Sequence, residues 1–247
     1  MSATPPPTHP ADLSAQPAAS VTGARLSIVV PALDEAAGIA GTLAALAPLR
    51  AAGHELVVVD GGSRDATVER SRALADRVIT APRGRARQMN AGAAAARHAR
   101  LLFLHADTRL PAGAAAAVLA ALDAGAAWGR FDVRIDGRSC WLRVVAAAMN
   151  LRSRLTGIAT GDQAIFATRA AFDAVGGFPD QPLMEDVEIS RRLKLRCGRP
   201  ACLREKVTTS GRRWDQRGVW RTIWLMWSLR WRYWRGTPAE TLARAYR

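Results

Sequence analysis

The sequence is poor in cysteine: Cys140, Cys197 and Cys202 are the three in 247 residues. They match no metal-ligand spacing, and an odd number excludes a framework in which every thiol is paired. The thiols are expected to be reduced and structural, consistent with a cytosolic chain. No stretch reaches the ~20 consecutive apolar residues that a bilayer-spanning helix needs. Residues 1–25 hold Pro5-Pro6-Pro7, Pro10 and Pro17 among Ala, Ser and Thr, without the apolar centre of a signal peptide, and are expected to form a disordered leader. Helix-turn-helix and zinc-ligand spacings are missing, and no internal repeat appears. Acidic residues are in the minority, 21 against 35 basic ones, for a net charge of +14. That excess calls for an anionic partner: nucleic acid, a phosphorylated substrate or an acidic membrane surface. A hydrophobic content of 49% supports a sizeable core, and the length allows one domain or two.

What is present is a series of short apolar runs separated by helical stretches. Leu26-Ser27-Ile28-Val29-Val30-Pro31 reads as a central strand, and Pro31-Ala32-Leu33-Asp34-Glu35 leads from it into a helix through Leu43, Leu46 and Leu49. A second strand, Glu55-Leu56-Val57-Val58-Val59-Asp60, is followed by Gly61-Gly62-Ser63-Arg64-Asp65. There the glycines allow a tight turn, and Ser63 or Asp65 can cap a helix running to Ala75. Arg77-Val78-Ile79-Thr80 is a third strand; a basic loop over residues 83–87 and an Ala-rich helix to about His98 follow it. Residues 101–104 then read as a buried strand with Asp107 beyond its C-terminal end. This alternation argues for βαβ units and a mostly parallel sheet. A Rossmann-type dinucleotide fold fits poorly, because no glycine stands in the turn after the first strand.

Three acidic groups, Asp34-Glu35, Asp60 and Asp107, fall at strand ends that right-handed crossovers bring to one rim. In an open α/β sheet that rim is the ligand crevice. An ionised Asp107 can bind a hard divalent cation, which in turn holds phosphate oxygens. The plainer reading is that Asp107 or Thr108 caps the helix after Pro111. Singly such acids are ordinary caps. Together, beside the arginines of the basic loop, they suit a nucleotide site, where carboxylates accept from base and ribose and guanidinium groups meet phosphate.

The set Val30-Pro31-Ala32-Leu33-Asp34-Glu35, Val58-Val59-Asp60-Gly61-Gly62-Ser63-Arg64-Asp65, Asn90-Ala91-Gly92 and Leu104-His105-Ala106-Asp107 resembles family 2 glycosyltransferases, over roughly residues 26–215. A closer resemblance is to a bacterial subgroup, the selenodomain-associated transferases, which share Leu-His-Ala-Asp-Thr. The resemblance implies the GT-A fold, an α/β sheet flanked by helices that binds a nucleotide-diphosphate sugar. It implies nucleotide contacts from Pro31, Asp34, Glu35, Asp60, Arg87, Asn90, His105 and Asp107. Asp107 matches the last acid of the family's Asp-x-Asp motif and would hold Mg²⁺ or Mn²⁺. His105 departs from the family, standing where the first acid is usual; it either supports the nucleotide by hydrogen bonding or lowers metal affinity.

Further along, residues 126–135 alternate as a strand and residues 140–155 read as a helix. Thr160-Gly161-Asp162-Gln163 forms a polar turn, where the family likeness makes Asp162 and Gln163 candidates for sugar contacts. Gly176-Gly177-Phe178-Pro179 is a loop. Leu183-Met184-Glu185-Asp186 begins a helix that Gly198 stops. Acids at a helix start gain ~0.3–1 kcal/mol from the macrodipole, which alone would explain Glu185-Asp186. The resemblance instead makes Asp186 the catalytic base and Glu185 its orienting partner. Ser210-Gly211-Arg212-Arg213-Trp214 resembles the family's loop near the diphosphate, with two arginines for phosphate and an indole for the sugar. The expected reaction is inverting transfer of a sugar to an acceptor hydroxyl. A nucleotidyltransferase acting on a sugar phosphate and a basic nucleic-acid-binding module remain as alternatives, though no nucleic-acid motif supports the latter.

Beyond the expected catalytic domain (26–215) lies an extension, 216–247, in which Trp220, Trp224, Trp227, Trp231 and Trp234 step by four, three, four and three. This spacing puts them on one helical face, with Leu225 and Leu229 on the other. Three readings compete: a core helix, a homodimer seam, or an interfacial helix whose arginines meet anionic lipid. The last reading would put a cytoplasmic chain on the inner face of the plasma membrane, near a lipid-linked acceptor.

Overall fold

The structure, a computed structural model, describes residues 24–246. The expected leader therefore lies outside the described residues, except for its last two positions. The first half of the chain runs β1 (Ser27–Ala32), α1 (Ile39–Ala45), α2 (Ala47–Ala51), β2 (Glu55–Asp60), α3 (Thr67–Arg72), β3 (Arg77–Thr80), α4 (Arg85–Ala95), β4 (Arg100–Phe103) and β5 (Thr108–Arg109). Next come α5 (Ala114–Asp123), β6 (Trp128–Asp136), α6 (Trp141–Thr156), a 3-10 turn (Gly161–Gln163), β7 (Phe166–Thr168), α7 (Arg169–Ala174) and α8 (Glu185–Cys197). The chain finishes with β8 (Ala201–Ser210), α9 (Arg212–Arg217), α10 (Val219–Trp234) and α11 (Ala239–Tyr246).

The strands form one eight-stranded sheet in the order β3-β2-β1-β4-β7-β6-β8-β5. β3, β2, β1 and β4 are mutually parallel, as the βαβ reading requires. The other half is mixed: β7 runs antiparallel to both β4 and β6, β8 lies parallel to β6, and β5 pairs antiparallel with β8. Pro31 is tolerated in a central strand because β4 pairs only with Ser27–Val29, so no ladder bond is asked of its missing N–H. Along β1 the side chains alternate. Ile28 and Val30 join one core cluster with residues of α1, α5 and α6, and Val29 joins the other with residues of α4, α7 and α8. Gly92 lets α4 lie directly on the sheet, since a Cβ there would stand 2.3 Å from the Val29 Cγ1.

Several helices are shorter than their patterns imply. The one expected to run through Leu49 breaks at Leu46, because Pro48 has no N–H to continue the ladder. α4 stops at Ala95 rather than His98: Glu55 Oε2 takes the Arg97 N–H at 2.7 Å and Ser27 Oγ takes the His98 N–H at 3.1 Å. α3 stops at Arg72, and the Leu74 and Ala75 N–H groups both close a turn on the Ser71 carbonyl.

The C-terminal helices are attached to the sheet domain through a third apolar cluster, in which Leu229 of α10 and Leu242 of α11 bury Met184. None of the described helices is long and apolar enough to cross a membrane.

Candidate active site

Because β1, β2 and β4 are parallel neighbours, their C-terminal ends share one edge of the sheet. There the acids knit two loops together. Asp34 N–H donates to Ser63 Oγ (2.9 Å), Arg64 N–H to Asp34 Oδ1 (2.8 Å), Glu35 N–H to Thr67 Oγ1 (2.8 Å) and Ala36 N–H to Asp65 Oδ2 (3.0 Å). Asp65 also accepts the Thr67 N–H at the start of α3 (3.0 Å), while Ser63, the other expected cap, is engaged with Asp34. Asp60 is buried, its carboxylate accepting the Gly62 and Ser63 N–H groups of its own turn at 2.9 and 3.0 Å.

Asp107 lies in the link between β4 and β5. It does not cap the following helix, whose start is the left-handed Gly113 with no side-chain cap, and neither does Thr108, which bonds Thr209 instead. Burial raises the Glu35 carboxyl; the Arg212 charge opposes this, and the Asp107 and Asp65 charges add to it. Glu35, Asp65 and Asp107 therefore share one acidic rim. Arg212 faces that rim, with Nη2 3.6 Å from Glu35 Oε1.

Opposite the rim is a second group of acids at the start of α8. Glu185 is buried and paired with Arg85, whose Nη1 lies 3.1 Å from its Oε1. Asp186 accepts from the Gly161 N–H (2.8 Å) and the Val187 N–H (2.7 Å). Burial, then the Glu185 charge, pushes the Asp186 carboxyl up from 3.8 to about 6, against the pull of the Gly161 N–H and of Arg85. Asp162 sits with its carboxylate 3.3 Å from His105 Nδ1. Burial pushes Asp162 up, but the His105 hydrogen bond and charge, with Arg85 and Arg213 beyond, hold it below the usual carboxylate range. Between Arg85, His105, Gly161, Glu185 and Asp186 is a void of about 10 Å³, room for roughly one water.

Three non-glycine residues among those described have positive φ: Asp34 (54°), Ala164 (46°) and Met184 (65°). Each costs on the order of 1–3 kcal/mol and persists only where its surroundings over-determine it. They flank the acidic rim, the Asp162 turn and Glu185-Asp186, respectively. For Met184 the surroundings are Leu229 and Leu242, so the C-terminal helices hold the strained residue that aims the acidic pair.

The sequence model described as Glycosyl transferase family 2 matches residues 27–173, more than half of the chain. The chain belongs to this family. No curated protein sequence matches it. Solved structures show the same GT-A fold. S. aureus TarS 1-349 superposes with a TM-score of 0.62 at 21% identity, over 76% of this chain and 60% of that one. The mannosyltransferase PcManGT from Pyrobaculum calidifontis, in complex with GDP-Man and Mn²⁺, gives 0.58 at 22% identity, over 76% and 57%. Glucosyl-3-phosphoglycerate synthase from Mycobacterium tuberculosis, in complex with Mn²⁺, UDP and glucosyl-3-phosphoglycerate, gives 0.54 at 20%, over 76% and 72%.

The family-derived residues divide into those gathered at the site and those spent on structure. Asp107, Glu35, Asp162, Glu185, Asp186, Arg212 and Arg213 converge. Arg213 lies over the Tyr246 ring at 4.3 Å; burial lowers its pKa, while the charges of Asp162 and Asp107 raise it. Others are turned elsewhere. Arg87 pairs with Asp180 at 2.7 Å. Asn90 bonds Phe178 through both its carbonyl and its amide. Gln163 is fully buried, its Oε1 accepting the Thr160 N–H and its Nε2 donating to Asn150. Trp214 packs against the first core cluster, at the start of α9 where a loop was expected. Pro31 is buried in β1.

Sequence reasoning missed Arg85, one of several arginines in its loop, and Gln88. The Gln88 amide donates to the carbonyls of Ala32 (2.8 Å) and Val59 (2.9 Å), setting α4 against the ends of β1 and β2. A polar residue one turn before Gly92, on the same face of the helix, was the available signal. His105, at the family's usual first-acid position, faces Asp162 and Gly161 rather than Asp107; a Cβ on Gly161 would stand 2.4 Å from its ring. Among the described residues no three His, Cys, Asp or Glu side chains form a metal cage. The donor set fits a hard cation held by one carboxylate and completed by substrate phosphates, the way Mg²⁺ is usually bound.

Proposed function

We propose that this chain transfers a sugar from a nucleotide-diphosphate donor to an acceptor hydroxyl with inversion at the anomeric carbon. One observation carries the reading: Asp186, a carboxylate raised to about 6, stands at the start of α8 opposite the rim of Glu35 and Asp107, with Arg85 acting on both Asp186 and Asp162 and Arg213 acting on Asp162 and Asp107. A base with a pKa near the working pH is both deprotonated and able to take a proton. Asp186 removes the acceptor proton as the acceptor oxygen bonds the anomeric carbon; the bond from that carbon to the diphosphate oxygen breaks, and the nucleoside diphosphate leaves with the electron pair. Glu185, held by Arg85, keeps Asp186 raised and oriented. Arg212 and Arg213 meet the charge developing on the leaving group. Asp107 would hold Mg²⁺ or Mn²⁺, which supplies Lewis-acid polarisation of the diphosphate. Asp34, Glu35 and the Asp60 turn shape the nucleoside end.

The test is a thermal-shift screen of UDP- and GDP-sugars with and without Mn²⁺, since a binder raises apparent stability by mass action. Product analysis follows on any donor found. Release of a nucleoside diphosphate supports the reading; release of pyrophosphate makes the chain a nucleotidyltransferase instead.

A further inference from the structure

α6 and α10 touch near their N-terminal ends, where the rings of Trp141 and Trp220 have centroids 5.1 Å apart. Towards their C-terminal ends both line a cleft of about 870 Å³, with Arg152 and Thr156 from α6, Val187 and Arg191 from α8, and Tyr233 and Trp234 from α10. That volume is in the ~300–1,000 Å³ range of small-molecule sites. Arg152 Nε and Nη2 are buried there without a hydrogen-bond partner. A guanidinium with two nitrogens in that state is costly unless an anion completes it. The acids on the walls do not do so. Glu188 is held by Arg191 and Arg192, Asp180 is held by Arg87, and Glu240 is exposed. The cleft also adjoins the candidate base: Val187 and Glu188 directly follow Asp186, and the Asp186 charge acts on Arg152.

The outward faces beside this cleft are apolar. Trp220, Trp224, Trp227, Trp231 and Trp234 are 57–81% exposed on α10, and Trp141, Val144, Leu151 and Leu155 are 47–67% exposed on α6. Both sets recur at helical three-and-four spacing, and they meet at the Trp141–Trp220 contact. Exposed apolar faces of this kind mark interaction sites, and Trp favours the boundary between bilayer and water. A second copy of a chain with net charge +14 would bring like charge to the face, whereas anionic headgroups meet the exposed Arg221 and Arg235 favourably. An amphiphile satisfies both features at once, its anionic head on Arg152 and its apolar part along the tryptophans.

We propose that the α6–α10 cleft is the acceptor site and that its occupant is an anionic lipid presented from a bilayer. The term acceptor rests on the transferase reading. The lipid's hydroxyl would be the oxygen that bonds the anomeric carbon, giving its proton to Asp186 while the diphosphate departs. Lipid binding is measurable without turnover.

Two measurements on the full chain test this. In flotation at low salt, the chain is expected to rise with phosphatidylcholine vesicles containing phosphatidylglycerol and not with phosphatidylcholine alone. Trp224→Gln/Trp227→Gln, both surface positions, should cut that partition about tenfold. In thermal shift, monomeric dihexanoyl phosphatidic acid should stabilise the chain, and Arg152→Gln should weaken that binding by about tenfold or more, as loss of a charged hydrogen bond does. Four results would overturn the proposal. They are no flotation with anionic vesicles, an unchanged midpoint in Arg152→Gln, inorganic phosphate matching the lipid at equal concentration, and self-association abolished by the Trp substitutions. The UDP- and GDP-sugars run on the same plate keep the two readings apart: donor binding without lipid binding sinks the lipid site alone, and lipid binding without donor binding sinks the transferase.

Discussion

Replacing Asp186 with Asn separates the chemistry of this carboxylate from its cost to the fold. The rise from 3.8 to about 6, at ~1.36 kcal/mol per pH unit, means that keeping Asp186 ionised costs the native state about 3 kcal/mol at pH 7. Asparagine removes the charge but keeps one acceptor oxygen for the two N–H groups of Gly161 and Val187. One lost bond costs about 1 kcal/mol, and the lost charge at the start of α8 about 0.5 kcal/mol more. The net expectation is a gain on the order of 1–2 kcal/mol, or a Tm higher by a few degrees for a chain of this size.

The gain also has a pH signature. Folding raises this carboxyl, so the penalty is absent below about pH 4, builds between about pH 4 and 6 and is full above that. At pH 5 about half of it remains, and the advantage of Asp186→Asn should shrink to near zero. Transfer should fall by ~10²–10⁴-fold, the usual contribution of a general base. Scanning calorimetry at pH 7 and pH 5, beside turnover on the donor found by screening, reads both effects. A variant that melts below the parent at pH 7 and turns over normally would make Asp186 a helix-start residue and refute the argument.

Glu185→Gln should move the acid limb of the kcat/KM profile to lower pH, because the Glu185 charge is one cause of the raised Asp186; an unmoved limb would dissolve the coupling. Asp107→Asn should abolish turnover and the metal dependence of donor binding with little change in Tm, and a metal titration that still sharpens donor binding would remove Asp107 from the site. Gly161→Ala would bring a Cβ to 2.4 Å from the His105 ring, so a loss of about 1–3 kcal/mol is expected from overpacking. Unchanged melting and activity there would mean that the His105–Gly161 packing is not critical.

Whatever depends on neighbours a few residues apart was legible in spacing and residue type alone. Short apolar runs and their intervals specified β1 to β4, and Asp34-Glu35, Asp60 and Asp107 followed those runs closely enough to share a rim whatever the details of packing. The three-and-four spacing likewise put five tryptophans on one face of α10. Tertiary structure decided what depends on distant partners. The mixed half of the sheet was not legible, because β7 lies between β4 and β6 through pairings that local periodicity does not encode. Arg85 and Arg87 stand on the same helix and look equivalent in sequence, yet the docking of α4 aims one at Glu185 and leaves the other with Asp180. Asn90 and Gln163 carried motif positions, but their hydrogen-bonding capacity is spent on Phe178, Thr160 and Asn150. A polar side chain is free for chemistry only if the fold leaves its donors and acceptors unsatisfied, and that remainder is set by long-range contacts.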